Sequence, residues 1–158
     1  MPTIELLTVI NAPIDRCFDL ARSIDLHKLS TAGTNEEAIA GITSGLIGYG
    51  QVVTWRARHL GITQTLTSKI TKFERPYLFR DEMVKGAFKL IQHDHLFEES
   101  GRGTNMRDHF YFESPGWIFG AAFNKLFLTN YLRRLLIKRN AMIKEVAETD
   151  QWKELLKT

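Results

Sequence analysis

Residues 79–97 read FRDEMVKGAFKLIQHDHLF, and the fold is decided here. Two runs with strand character flank Lys85-Gly86-Ala87, a connection short enough to favour antiparallel neighbours over a parallel return. The runs carry Asp81, Met83, His93 and His95 among aromatic residues. Ionisable groups at strand spacing amid apolar neighbours point to a pocket that recognises something. They do not name its ligand, nor decide whether chemistry happens there.

The pattern extends outward in both directions. Ala38–Thr43, Gln51–His59, Ile62–Phe73, Tyr77–Val84, Ala87–Glu98 and Thr104–Glu113 all read as strands. Between them lie turn signals: Ser44-Gly45 to Gly50, Leu60-Gly61, Arg75-Pro76, Lys85-Gly86 and Ser100-Gly101-Arg102-Gly103. Upstream, Thr3–Ile10 is a further strand, stopped by Asn11-Ala12-Pro13. From Ile14, apolar positions Ile14, Cys17, Phe18 and Ala21 recur at helical spacing, and a second short helix spans about Asp25–Leu29, capped by Asp25 or Ser23. Downstream, Ser114-Pro115 opens the last element as N-cap and first helical residue. Its apolar stripe runs through Phe119, Phe123, Leu126, Phe127, Tyr131, Leu135 and Ile143 to about Ala147. Roughly 33 residues would measure roughly 50 Å, so this helix must lie across the sheet or bend. Segregated elements of this kind imply an α+β fold with the helix on one sheet face. The expected organisation is one domain, residues 1–148, followed by a short tail, 149–158.

Composition excludes several classes. At 158 residues, with 44% hydrophobic and 25% charged residues, the chain fits one globular domain with a sizeable core. The net charge of +3 is mild, and only Arg133-Arg134 and Lys138-Arg139 cluster. A solvated helix face is the favoured reading of that cluster, so no nucleic-acid partner is expected. Cys17, the single cysteine, reads as a small buried hydrophobe and allows neither an intrachain disulfide nor a cysteine metal cluster. No apolar run approaches the roughly 18 residues of a membrane span and no signal region is visible; membrane insertion is not expected, and a cytoplasmic location follows by default. The glycine-rich GLIGYG (45–50) lacks a phosphate-loop lysine and a following helix; it reads as a mobile loop at a cavity mouth.

Alternation assigns faces, because neighbouring strand residues point oppositely. Inward sets are Gln51, Val53, Trp55, Ala57 and His59; Ile62, Gln64, Leu66, Ser68 and Ile70; Tyr77, Phe79, Asp81 and Met83; and Met106, Asp108, Phe110 and Phe112. Ala87–Phe97 is ambiguous, since Lys89, Ile91, His93, His95 and Phe97 oppose an equally mixed set of Phe88, Leu90, Gln92, Asp94 and Leu96.

The ordered series INAPIDRCFDL (10–20), TSGLIGYGQVVTWRARH (43–59), RDEMVKGAF (80–88), HDHLF (93–97) and the closing Pro115 helix resembles the START-related superfamily often called SRPBCC. The resemblance covers nearly the whole chain and is nearest to small bacterial members of polyketide cyclase/dehydrase-like or cell-division-inhibitor-like type. It implies a helix-grip fold, a curved antiparallel sheet of about six or seven strands around the C-terminal helix, enclosing an apolar cavity. It also implies that the His-x-His-x-Phe pattern points inward. Members bind apolar molecules and a minority catalyse, so the resemblance transfers a fold and a pocket, not a reaction.

The candidate pocket is then Trp55, His59, Gln64, Asp81, Met83, Ile91, His93, His95 and Asp108, closed by Phe119, Phe123 and Phe127. A buried carboxylate needs a partner, which His93 or His95 would supply to Asp81 or Asp108. The same four residues are the acid–base candidates for a cyclase or dehydratase type of reaction. A satisfied structural network between strands is the plainer account of them. His93 and His95 stand two apart on one face, a spacing able to chelate, but no further ligand pair is recognisable, so no metal or other cofactor is expected. The leading expectation is a protein that binds or carries a small apolar molecule. The alternatives are the cyclase/dehydratase-type enzyme and an interaction module whose core is filled. Oligomeric state is not written in the residues.

Overall fold

The computed structural model describes residues 3–114 and 121–157, and within 121–124 the backbone alone. Strand β1 (Thr3–Ile10) leads into helices α1 (Ile14–Ala21) and α2 (Ile24–Ser30) and a 3₁₀ turn, Ala32–Thr34. Strands β2 (Glu37–Gly41), β3 (Val52–His59), β4 (Ile62–Glu74), β5 (Leu78–Lys85), β6 (Leu90–Ser100) and β7 (Gly103–Glu113) follow, then α3 (Ala121–Glu148) and α4 (Trp152–Leu155). The seven strands form one antiparallel sheet in the order β1-β7-β6-β5-β4-β3-β2. Successive strands from β2 to β7 are neighbours, as their short turns require. β1 joins the far edge, where Ile10 pairs with Thr104 and Thr3 with Tyr111.

Local chemistry sets the element limits. Pro13 stands at the N-cap of α1, one place earlier than a first-turn proline, and Cys17 N bonds its carbonyl. Ser23 caps α2 by accepting from Leu26 N, the second of the two expected caps. β7 starts at Gly103 because a Cβ there would sit 2.3 Å from the Ile10 carbonyl oxygen; only glycine lets the β1 end pass so closely. The start of the last helix, from Pro115 to Gly120, lies outside the described residues. From Ala121 its 28 residues cover roughly 42 Å.

Alternation holds on the concave face. Val53, Trp55 and Ala57 on β3, Ser68 and Ile70 on β4, and Met106, Asp108, Phe110 and Phe112 on β7 are buried. On β6 the ambiguous strand turns Ile91, His93, His95 and Phe97 inward, as the resemblance implied. Tyr77 departs from its expected set. It is 57% exposed because it sits in the turn before β5, its N–H bonded to the Glu74 carbonyl. Ile62, at the start of β4, is likewise exposed.

Helix α3 packs against β1, α1 and α2. Its C-terminal half buries Ile143, Val146 and Ala147 under α1. Polar ties fix that end: Asn11 N donates to Glu148, Arg16 to the Ala147 carbonyl, and Lys144 to the Val9 carbonyl. The expected tail forms the short α4, whose Trp152 and Leu155 pack on the same core, with the Arg16 guanidinium 4.1 Å from the Trp152 ring. Cys17 is buried and free; burial pushes its thiol pKa up, as befits a packed hydrophobe rather than a nucleophile.

Candidate functional site

Between the sheet and α3 lies a cavity of about 320 Å³, within the range of small-molecule sites. Its walls are mostly apolar: Val53, Trp55, Leu66, Ile91 and Phe110 from the sheet, and Leu128, Leu132, Leu135 and Leu136 from α3. The 45–50 loop borders it through buried Ile47. This loop is tied to the α1–α2 corner: Ile24 N bonds the Gly45 carbonyl, Ile47 N the Arg22 carbonyl, and Gly45 N the Asp25 carboxylate.

The innermost polar group comes from three adjacent strands and the helix. Register places Asp81 opposite His93, and His95 opposite Asp108. The hydrogen bonds run crosswise instead: His93 Nε2 meets Asp108 Oδ1 at 2.7 Å, and His95 Nε2 meets Asp81 Oδ2 at 2.7 Å. The two imidazoles lie 3.7 Å apart, and Phe79 stacks on His95 at 4.1 Å. Asn140 donates to Asp108 Oδ2 at 2.6 Å, and Arg139 Nη1 lies 3.6 Å from Asp108 Oδ1. Arg139 Nη2 reaches His95 Nδ1 at 3.3 Å and the Ala21 carbonyl at 3.2 Å.

Arginine only donates, so His95 Nδ1 must accept. The proton of a neutral His95 is thereby held on Nε2, where it donates to Asp81. His95 has its pKa pushed down to about 4 by burial first and then by the His93 charge, against the opposing Asp81 hydrogen bond. Burial alone would raise Asp81; the His95 hydrogen bond and the nearby positive groups outweigh it and hold the carboxyl below its ordinary value. Asp108 follows the same balance, with His93 as its chief counterweight to burial.

Asp81 differs from Asp108 in access. Asp108 is fully buried and does not line the cavity, standing behind His93 as its anchor. Asp81 keeps 27% of its side-chain surface accessible and lines the cavity. Its Oδ2 takes the His95 bond, while Oδ1 enters no hydrogen bond among the described residues. Asp81, His93 and His95 also each offer a ligand atom within 4.8 Å of one another. Arg139 opposes a metal there, because it fixes the His95 proton on the nitrogen facing Asp81 and adds a positive charge beside it.

A second polar group lines the cavity further along β3. His27 Nε2 and Glu36 Oε1 are 3.0 Å apart, with the His27 ring 4.3 Å from that of Trp55. His59 Nδ1 and the Tyr131 hydroxyl are 2.8 Å apart. Burial raises Glu36, but its His27 hydrogen bond and the His27 and His59 charges prevail and hold it below its ordinary value. Burial and Glu36 together raise Tyr131.

Of the residues singled out in the sequence, Trp55, His59, Gln64, Asp81, Ile91, His93 and His95 line the cavity. Met83 instead packs with the cluster of Ile4, Ile91, Phe110 and Phe112, against Gly86. Phe127, expected to close the pocket, is 40% exposed and stands off it. Phe119 and the Phe123 side chain lie outside the described residues. Arg139, expected on a solvated face, is 7% exposed and reaches the inner group. Asn140, His27, Glu36 and the cavity role of Tyr131 were not foreseen. Counting back from Ile143 in steps of three and four reaches Asn140, Arg139, Leu136 and Leu132, a signal that would have found the inward helix face.

No family model matches the sequence, and no curated protein matches it. Solved structures do. TTHA0849 from Thermus thermophilus is 19% identical, with a TM-score of 0.71 over 92% of this chain and 99% of that one. Ginseng major latex-like protein 151 from Panax ginseng is 16% identical, with a TM-score of 0.66 over 94% and 98%. The di-domain ARO/CYC StfQ from the steffimycin biosynthetic pathway is 13% identical, with a TM-score of 0.69 over 92% of this chain and 50% of that one. Among the described residues no helix is long and apolar enough to cross a membrane. At such identities the likeness establishes architecture alone: this chain has the helix-grip fold, with a mostly apolar cavity between sheet and helix.

Proposed function

We propose that this protein binds and holds one small, largely apolar molecule, anchored by a hydrogen-bond-donating group on Asp81. The observation that carries this reading is an ionised carboxylate, deep in the domain, with surface open to an apolar-walled cavity. An ionised carboxylate only accepts, so a group facing Asp81 Oδ1 must donate. The ligand-binding reading of the fold supports this, and a major latex-like protein and an ARO/CYC protein share that fold. The test is the mass of the purified protein under native and denaturing conditions, with solvent extraction of whatever is released. A stoichiometric small molecule lost on denaturation is the expected result. A protein that carries nothing and binds no apolar fluorophore would refute the proposal.

Acid–base chemistry is a second reading, favoured by the 2.7 Å His93–Asp108 dyad whose carboxylate is anchored by Asn140. A buried carboxylate that orients an imidazole facing a cavity is an arrangement suited to proton transfer. On this reading His93→Gln abolishes turnover of the extracted ligand and leaves its binding intact. The open cavity speaks against an interaction module with a filled core.

A further inference from the structure

The two polar groups of the cavity stand at opposite ends of an apolar waist. Along β4, the level of Trp55 is Leu66 and the level of Asp81 is Ile70, four residues or roughly 13 Å apart. Along α3, Tyr131 and Arg139 are eight residues apart, roughly 12 Å. Between the ends, Ile91, Leu132, Leu135 and Leu136 line the wall, with Ser68 among them. Each end holds one carboxylate below its ordinary pKa, Asp81 within the His95–His93–Arg139 group and Glu36 beside His27 and His59. Both carboxylates line the cavity. Carboxylates at the two ends of an apolar slot select for donors at the two ends of a ligand. Each carboxylate already has cationic or imidazole partners, so neutral donors suffice and a doubly charged ligand is unnecessary.

We infer that the cavity is a two-ended site for an elongated molecule with an apolar body and a hydroxyl at each end, one on Asp81 and the other on Glu36. The inference rests on the ligand-binding reading above and specifies its ligand class. A hydrogen bond to a charged acceptor, made where water is excluded, gives each hydroxyl about a tenfold gain in affinity.

The test uses three probes of one shape: trans-stilbene, the stilbene with one para-hydroxyl, and the stilbene with a para-hydroxyl on each ring. Binding to the whole protein is followed by fluorescence. Affinity is expected to rise about tenfold with each hydroxyl. Asp81→Asn and Glu36→Gln, checked for folding by circular dichroism, should each bring the diol down to the affinity of the mono-hydroxyl compound. Either single variant should leave the mono-hydroxyl compound within about a factor of two, because that compound turns round and uses the remaining end. The double variant should bind all three alike. Equal affinity of the three probes for the unaltered protein overturns the two-ended inference and leaves the binding reading standing. So does a diol no tighter than the mono-hydroxyl compound, a result that needs no variant to fold. Failure of all three probes to bind contradicts the binding reading itself.

Discussion

Two halves of one concave sheet face are furnished in opposite ways. Under α1, Phe18 stands edge-on to Phe73, Phe79 and Phe97 with ring centroids 5.4, 5.3 and 5.3 Å away, and the Arg22 guanidinium lies 5.8 and 5.3 Å from the Phe18 and Phe73 rings. Under the middle of α3, the same strands present Asp81, His93 and His95 to a cavity of about 320 Å³. Phe79 belongs to both halves, packed against Phe18 on one side and stacked on His95 on the other. Interiors are normally close-packed, and a void forfeits its contacts. A sheet that leaves one half open must therefore hold together through the other. The packed half supplies the stability, and the open half holds the cavity.

The largest expected effect breaks the packed half. Phe18→Ala removes the ring shared by three aromatic contacts and should cost about 4 kcal/mol in urea unfolding. A loss below about 1 kcal/mol would mean that the aromatic cluster does not carry the fold.

Next comes the polar network on the open side. Arg139→Met leaves fully buried Asp108 beside one fewer cation and His95 Nδ1 without its donor, with an expected loss of about 3 kcal/mol. Loss of stability without loss of probe binding would assign Arg139 to the scaffold alone. Loss of both, with the residual fold intact, would place it in the site.

Acidification sharpens the comparison further, because His95 is buried on the open side. Folded His95 has a pKa of about 4, against about 6.5 in the unfolded chain. Between those values the unfolded chain takes up a proton that the folded one refuses, so stability rises with pH across the window. It should be complete above about pH 6.5 and fall by about 3 kcal/mol as the pH drops towards about 4, where the contribution of His95 levels off. The depressed Asp81 and Asp108 contribute with the same sign at lower pH, through and below the ordinary carboxylate range. Urea midpoints that stay flat from about pH 7 to about pH 4.5 would contradict a neutral, desolvated His95. The smallest effect lies at the corner joining the halves, where Ser23→Ala removes the α2 cap and should cost about 1 kcal/mol.

The sheet was legible because its signal is strict. A period of two, with Trp55, Asp81 and Asp108 at known offsets from their turns, leaves little choice of face. Where both faces were mixed, as on Ala87–Phe97, only the family pattern decided. The helix was less legible for a geometric reason. A wide stripe with steps of three and four can be drawn at two adjacent phases; Tyr131, Leu135 and Ile143 of the expected stripe do face inward, while Phe127 stands off the cavity. Arg139 then fell on the apparent outer face beside Lys138, although its guanidinium is needed inside by Asp108 and His95. The second polar group was illegible for another reason. His27, Glu36, His59 and Tyr131 come from a helix, a connecting segment, a strand end and α3, and no periodicity links them.

The central claim is that the open half contains real, usable space. Ala57→Phe tests it most directly, since Ala57 is buried on β3 and lines the cavity. Urea unfolding and binding of 1-anilinonaphthalene-8-sulfonate are measured on both proteins. The account predicts unfolding free energy within about 1 kcal/mol of the unaltered chain, or higher, with probe affinity reduced at least about tenfold. A loss of about 1–3 kcal/mol, the ordinary cost of overpacking a full core, with probe affinity unchanged, would contradict it.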